Sequence, residues 1–157
     1  MNLTLIHIGA QVRAKSGSQA KPKDDFDALT RLYLERCSPF ANCQAEAFRT
    51  EESMLDWLDR QRARTAPVAV LLDSRGKQMT SEVFAAWLGT RRDEGVQHIV
   101  FAIGPVNGWS ELTRKRAQLL LSLGPMTLAP SLARMVMAEQ LYRAFTILTG
   151  HPYHAGH

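Results

Sequence analysis

Short apolar runs, each stopped by a turn signal and each followed by a helical pattern, recur along the chain and restrict it to a layered α/β fold. Residues 3–8 run into Gly9, the segment PVAVLLD at 67–73 stops on the turn signal SRG, and HIVFAIG at 98–104 again ends in glycine. Such brief runs, rich in β-branched residues, suit strands covered on both faces, as in a parallel sheet. Residues 43–48 alternate apolar with polar and predict a further strand. Between them, DDFDALTRLYLERC sets Phe26, Leu29, Leu32 and Tyr33 on one helical face, with acidic residues at the end where the helix dipole favours them. Met54, Leu55, Trp57 and Leu58 mark a second helix. Thr80 caps a third, carrying Phe84, Trp87 and Leu88 and closed by Gly95, and Ser110 caps a short basic one over ELTRKRA.

A length of 157 residues with 45% hydrophobic content is that of one domain, here spanning 1–157. No apolar stretch approaches the ~20 residues that cross a bilayer, and the first apolar run lacks a basic leader, so the sequence predicts a cytoplasmic protein with no membrane partner. The net charge of +4 suits a polyanionic partner. Residues 10–23 read as a loop whose Arg13, Lys15, Lys21 and Lys23 form a basic arm able to touch phosphate without reading sequence. The cysteines, Cys37 and Cys43, flank SPFAN and are read as reduced thiols, with pairing left open; no metal quartet is present, and no metal is expected.

The last helix, over residues 131–149, is apolar beyond one stripe: Leu132, Met135, Val136, Met137, Leu141, Tyr142, Phe145, Ile147 and Leu148 surround much of it. It requires burial on two sides, and a second copy of the chain supplies the missing cover, which predicts a homodimer. Three turns, at 71–76, 103–108 and 122–127, follow apolar runs and contain glycine. Ligands of open parallel sheets gather at such carboxyl ends, where loops converge. None of the three matches the dinucleotide or phosphate-loop glycine patterns.

Taken in order, LLDSRGK, FAIGPVNGWS, LSLGPMTLAPSLARMVMAEQLYRAFTI and TGHPYH resemble the ribosomal RNA large subunit methyltransferase H family of the SPOUT superfamily, most densely over residues 68–154. The resemblance implies a parallel-sheet α/β/α sandwich with a C-terminal trefoil knot and a pocket for a bent S-adenosylmethionine. Leu72, Gly104, Gly108, Leu123, Gly124, Pro125, Met126 and Thr127 would line it. It implies, too, a homodimer that methylates N3 of a pseudouridine in large-subunit ribosomal RNA within the assembled ribosome. Alternatives from other classes are a knotted RNA-binding module without catalysis and a protein for another adenosine-containing ligand.

Transfer from a sulfonium needs chiefly alignment and a place for the proton of the nucleophile. By resemblance His154 is the base and Tyr153 orients or stacks on the target base. A metal site of His151, His154 and His157 is the weaker alternative. Arg143 follows Glu139 by four residues, the spacing of a helix-surface ion pair; the resemblance turns it toward the partner's active site. Arg114, Lys115, Arg116 and Arg134 are the expected RNA contacts, with a solvated face as the alternative for the first three. The chain departs from the family at Pro105, at Pro130-Ser131 and at Ala155, where a second glycine, a His-Pro pair and an arginine are usual. Pro105 removes an N–H, and Ala155 removes a guanidinium fork.

Overall fold

The apolar runs pair into one parallel sheet of five strands in the order β2-β1-β4-β3-β5. In this computed structural model, which describes residues 1–9 and 24–155, the strands are β1 (Asn2–Ile8), β2 (Asn42–Phe48), β3 (Val68–Gln78), β4 (His98–Ile103) and β5 (Leu119–Ser122). The basic arm at 10–23 and His157 lie outside the described residues. β4 is buried at every position because β1 and β3 pair with its two edges and helices cover both its faces. β1 divides its side chains by the period of two: Leu3 and Leu5 join one core, Ile6 and Ile8 the other.

Among the described residues five α-helices form the outer layers: α1 (Asp25–Arg36), α2 (Glu51–Arg62), α3 (Ser81–Asp93), α4 (Glu111–Lys115) and α5 (Pro130–Thr149). Asp24, Thr50, Thr80 and Ser110 each accept from a backbone N–H three residues on, which fixes where the first four begin. α5 begins one residue earlier than its sequence suggests, since Pro130 occupies the first turn without a side-chain cap, and Gly150 closes it at φ 71°. α1, α3 and α5 cover one face around Leu5, Phe101, Met137 and Phe145, whereas Met54 and Leu58 of α2, with Trp109 just before α4, cover the other. The result is an α/β/α sandwich. Much of the two-sided burial of α5 is met inside the chain by the sheet, α1 and α3, while Leu132, Met135 and Val136 stay half-exposed.

One strand runs past its expected end. β3 does not stop at Asp73 but continues to Gln78, with a register shift that sets both Leu72 and Lys77 opposite Leu121. The SRG signal is a bulge within a strand, because β5 offers backbone partners on both sides of it. Gly76 presses against β5 there: a Cβ at this position would stand 2.6 Å from the carbonyl carbon and oxygen of Leu120. Cys37 and Cys43 are free thiols, hydrogen-bonded to one another; that bond pushes Cys37 up and Cys43 down in pKa.

Glu51, in the first turn of α2, ties α4 to the body. Its carboxylate accepts from the Ser110 N–H at 3.1 Å and from the Ser110 and Thr113 hydroxyls, each at 2.7 Å. Burial raises the carboxyl pKa, but these hydrogen bonds outweigh it and hold Glu51 below its ordinary value. A group depressed on folding stabilises above its unfolded pKa, and that contribution is lost as pH falls through the folded one. A Glu51→Gln variant is therefore expected to be about 1 kcal/mol less stable at pH 7. In urea melts the gap should narrow below pH about 4, and a constant gap would deny Glu51 this role.

Candidate active site

The bulge of β3, the carboxyl end of β4 with the loop after it, and the connection from β5 to α5 enclose a cavity of about 580 Å³. Leu72, Gly104, Gly108, Leu123, Gly124, Met126 and Thr127 line it, so seven of the eight residues expected at a cofactor pocket meet in one place; Pro125 is not among the lining residues. The loops take this shape for local reasons. Gly108 at φ 82° and Gly124 at φ 130° adopt backbone conformations that side chains disfavour. The Ser122 hydroxyl accepts from the Gly124 N–H at 3.1 Å and donates to its carbonyl at 3.0 Å, closing the turn after β5.

Sequence reasoning passed over Trp109. Its indole N–H donates to the Leu72 carbonyl at 3.0 Å, and its ring fills the place beside Gly104. An aromatic residue straight after a glycine turn was the available signal. Asp73, with a side chain only 7% exposed, accepts from the Arg75 N–H at 2.8 Å and pairs with Arg114 at 3.1 Å.

The expected RNA-binding arginines are held by acids of the chain itself. Arg114 pairs with Asp73 and Glu111, Arg116 with Asp59, and Arg134 with Asp27 at 3.5 Å, while Arg134 also donates to His7 Nδ1 at 2.9 Å. Lys115 is exposed.

Arg143, Tyr153 and His154 meet one another but do not line the large cavity of their own chain. Arg143 pairs with Glu139, as the four-residue spacing predicts, and lies over the Tyr153 ring at 5.0 Å. Glu139 holds the Arg143 pKa above its ordinary value. Tyr153 donates to Glu139 at 3.0 Å; burial, then hydrogen bonds with Tyr33 and Glu139, push its pKa up and keep it a phenol. A short 3₁₀ turn, Pro152–His154, capped by His151 Nδ1, presents His154.

At His154, Nδ1 accepts from Arg143 at 3.0 Å and Nε2 meets Glu82 of α3 at 2.8 Å. A guanidinium has no acceptor, so in this contact Nδ1 is the accepting atom and Nε2 the one that donates to Glu82. Glu82 is held below the ordinary carboxyl range, first by that hydrogen bond from His154. No group of three or more metal-ligating side chains occurs among the described residues. Nor is any described helix long and apolar enough to cross a membrane.

A family model described as "Predicted SPOUT methyltransferase" matches residues 1–154. The chain belongs to the SPOUT methyltransferase family. Among curated relatives, the ribosomal RNA large subunit methyltransferase H of Koribacter versatilis is 54% identical over 132 residues, covering 84% of this chain and 90% of that protein. The protein of the same name from Brucella ovis is 52% identical over 85 residues, 54% of this chain and 50% of that one. Among solved structures, the SpoU methyltransferase AviRb of Streptomyces viridochromogenes, in complex with the cofactor AdoMet, superposes with a TM-score of 0.50 at 10% identity, covering 94% of this chain and 61% of that one. At such identity the likeness speaks for the fold, a SPOUT-type parallel α/β sandwich.

Proposed function

We propose that the chain is an S-adenosylmethionine-dependent methyltransferase of large-subunit ribosomal RNA, acting in the cytoplasm on N3 of a pseudouridine, and that it works as a homodimer. The observation that carries this reading is the convergence of three glycine-bearing turns on one cavity in a SPOUT-family chain. The cavity fits the cofactor. Its volume lies within the ~300–1,000 Å³ of small-molecule sites. Gly104, Gly108 and Gly124, which have no side chain, leave main-chain groups at its wall, which suits a nucleoside read through hydrogen bonds to backbone. Bound there, the cofactor supplies an activated methyl group. The knotted path implied for residues 68–154 belongs to the same proposal.

The chain itself must align the acceptor and take its proton. In the reaction the carbon–sulfur bond breaks, a carbon–nitrogen bond forms, S-adenosylhomocysteine leaves, and the proton of the ring nitrogen passes to a base. His154 is that base in this reading; the atom that can accept is Nδ1, and Arg143 must first release it. Since His154, Tyr153 and Arg143 stand apart from the cavity of their own chain, the partner's cavity is where they act. Exposed Phe26, Leu29 and Leu32 on α1 and half-exposed Leu132, Met135 and Val136 on α5 supply apolar surface for such a pairing. Arg114, Lys115, Arg116 and Arg134 are its RNA contacts, with the three arginines exchanging an internal acid for phosphate on binding.

Tritiated-methyl transfer to ribosomes, free ribosomal RNA and transfer RNA tests the whole. Ribosomes are the expected acceptor, and His154→Ala is expected to transfer about 10²- to 10⁴-fold more slowly at unchanged cofactor affinity. Equal rates would remove His154 from the chemistry. Absence of both binding and transfer by the unaltered protein would sink the reading, and light scattering at the mass of one chain would sink the dimer.

A further inference from the structure

A second, smaller cavity of about 230 Å³ adjoins the large one, sharing Leu121, Leu123 and Gly124 with it. It lies between the end of β3, the first turn of α3 and the middle of α5, and it is below the ~300 Å³ of a site for a drug-sized molecule. A single ring is the right scale. Phe84 and Met137, both buried, give it an apolar floor.

Its polar wall centres on Gln140. The carboxamide oxygen accepts from the Ser81 hydroxyl at 2.7 Å, and the nitrogen donates to Glu139 Oε2 at 3.0 Å. Because a carboxylate only accepts, the amide has one orientation. Each of its two groups has a second bonding site, so these two bonds leave one N–H and one oxygen lone pair of the amide for a ligand. That pair is complementary to an –NH–C(=O)– edge. Glu139 also bonds Arg143 and Tyr153, so the amide's orientation is tied to that cluster.

We propose that this cavity receives the acceptor base, and that Gln140 reads the N–H/C=O edge of a pyrimidinedione ring joined to its sugar through carbon. The inference rests on the methyltransferase reading of the adjoining pocket. A ring attached through carbon keeps an N–H at both nitrogens: Gln140 holds one with its neighbouring carbonyl, and the other stays free to lose its proton and take the methyl. A ring attached through nitrogen has one N–H, and holding it at Gln140 would withdraw the nucleophile. Gln140 thereby selects pseudouridine over uridine.

The test combines Gln140→Leu with nucleoside binding. Calorimetry with S-adenosylmethionine is expected to give the variant a Kd within about twofold of the unaltered protein, while methyl transfer to ribosomes falls about ten- to a hundredfold, the loss of one bidentate contact. An equal rate of transfer, or a cofactor Kd weakened in parallel, would overturn the proposal; the second result would assign the cavity to the cofactor. Independently of turnover, the Gln140 side-chain amide resonance of the protein loaded with S-adenosylhomocysteine should move on adding pseudouridine or uridine, which both present the edge, and not on adding cytidine, whose ring nitrogen carries no N–H beside the carbonyl. No movement with pseudouridine, or equal movement with cytidine, would also overturn it. Failure of the unaltered protein to bind S-adenosylmethionine would fall on the methyltransferase reading instead, and the nucleoside response would still decide the cavity.

Discussion

Gly76→Ala is expected to lower the stability of the chain by about 3 kcal/mol, roughly 10 °C in melting midpoint for a domain of this size. The added Cβ would meet Leu120 C and O at 2.6 Å and Leu121 N at 2.8 Å. All three are backbone atoms of β5, so no rotamer change relieves the contact and one strand must move from the other. The movement strips the Lys77–Leu121 and Gln78–Ser122 pairing and displaces Leu121 and Leu123, which line both cavities. Cofactor affinity should therefore fall with stability. Gly9→Ala serves as the control, because a Cβ there meets nothing within 4 Å. Urea denaturation of the two variants checks the claim, and a Gly76→Ala loss no larger than that of Gly9→Ala would show that the pass over β5 is slack.

The same position marks the limit of what the sequence makes legible. Helix starts were local: Asp24, Thr50, Thr80 and Ser110 lie three residues before the N–H each accepts, and the span of sequence that must be read is one turn. β1, β4 and the first half of β3 announced themselves by apolar runs, and β2 by alternation. The second half of β3 did not, since Ser74, Arg75 and Gly76 carry turn chemistry and become a strand only because a distant β5 pairs around the bulge.

The site divides in the same way. The Glu139–Arg143 pair follows from helical spacing, and the glycine turns follow from residues next to apolar runs. Glu82, 72 residues from His154, and Trp109, 37 residues from Leu72, act through contacts that no window of sequence contains. The acids that hold Arg114, Arg116 and Arg134 were hidden for the same reason: Asp73, Asp59 and Asp27 are remote in sequence from the arginines they neutralise.

Gly104→Ala is expected to remove cofactor binding, at least a hundredfold in Kd, while leaving most of the fold in place. Here the obstacle is a side chain and not a backbone. The new Cβ would stand 2.7 Å from Trp109 Cε2 and 3.0 Å from its Nε1. Trp109 is 6% exposed, packed in the core beneath α2 and α4, so its ring has nowhere to go but away from β4. In leaving, it gives up its hydrogen bond to the Leu72 carbonyl and shifts the turn at Gly108. Three parts of the cavity wall then change together, and overpacking of this kind costs about 1–3 kcal/mol of stability. The two residues are coupled, so a double-mutant cycle separates a steric cause from loss of glycine itself. In a Trp109→Ala background the Cβ at position 104 has space, and Gly104→Ala should add little to the loss already present. Calorimetry with S-adenosylmethionine on the four proteins gives the answer. Additive losses would mean that Gly104 serves the cofactor by its own close approach, with Trp109 merely adjacent. Non-additive losses would place the requirement in the fit of Trp109 against the end of β4, the contact that holds the Leu72 and Gly108 walls of the cavity at their separation.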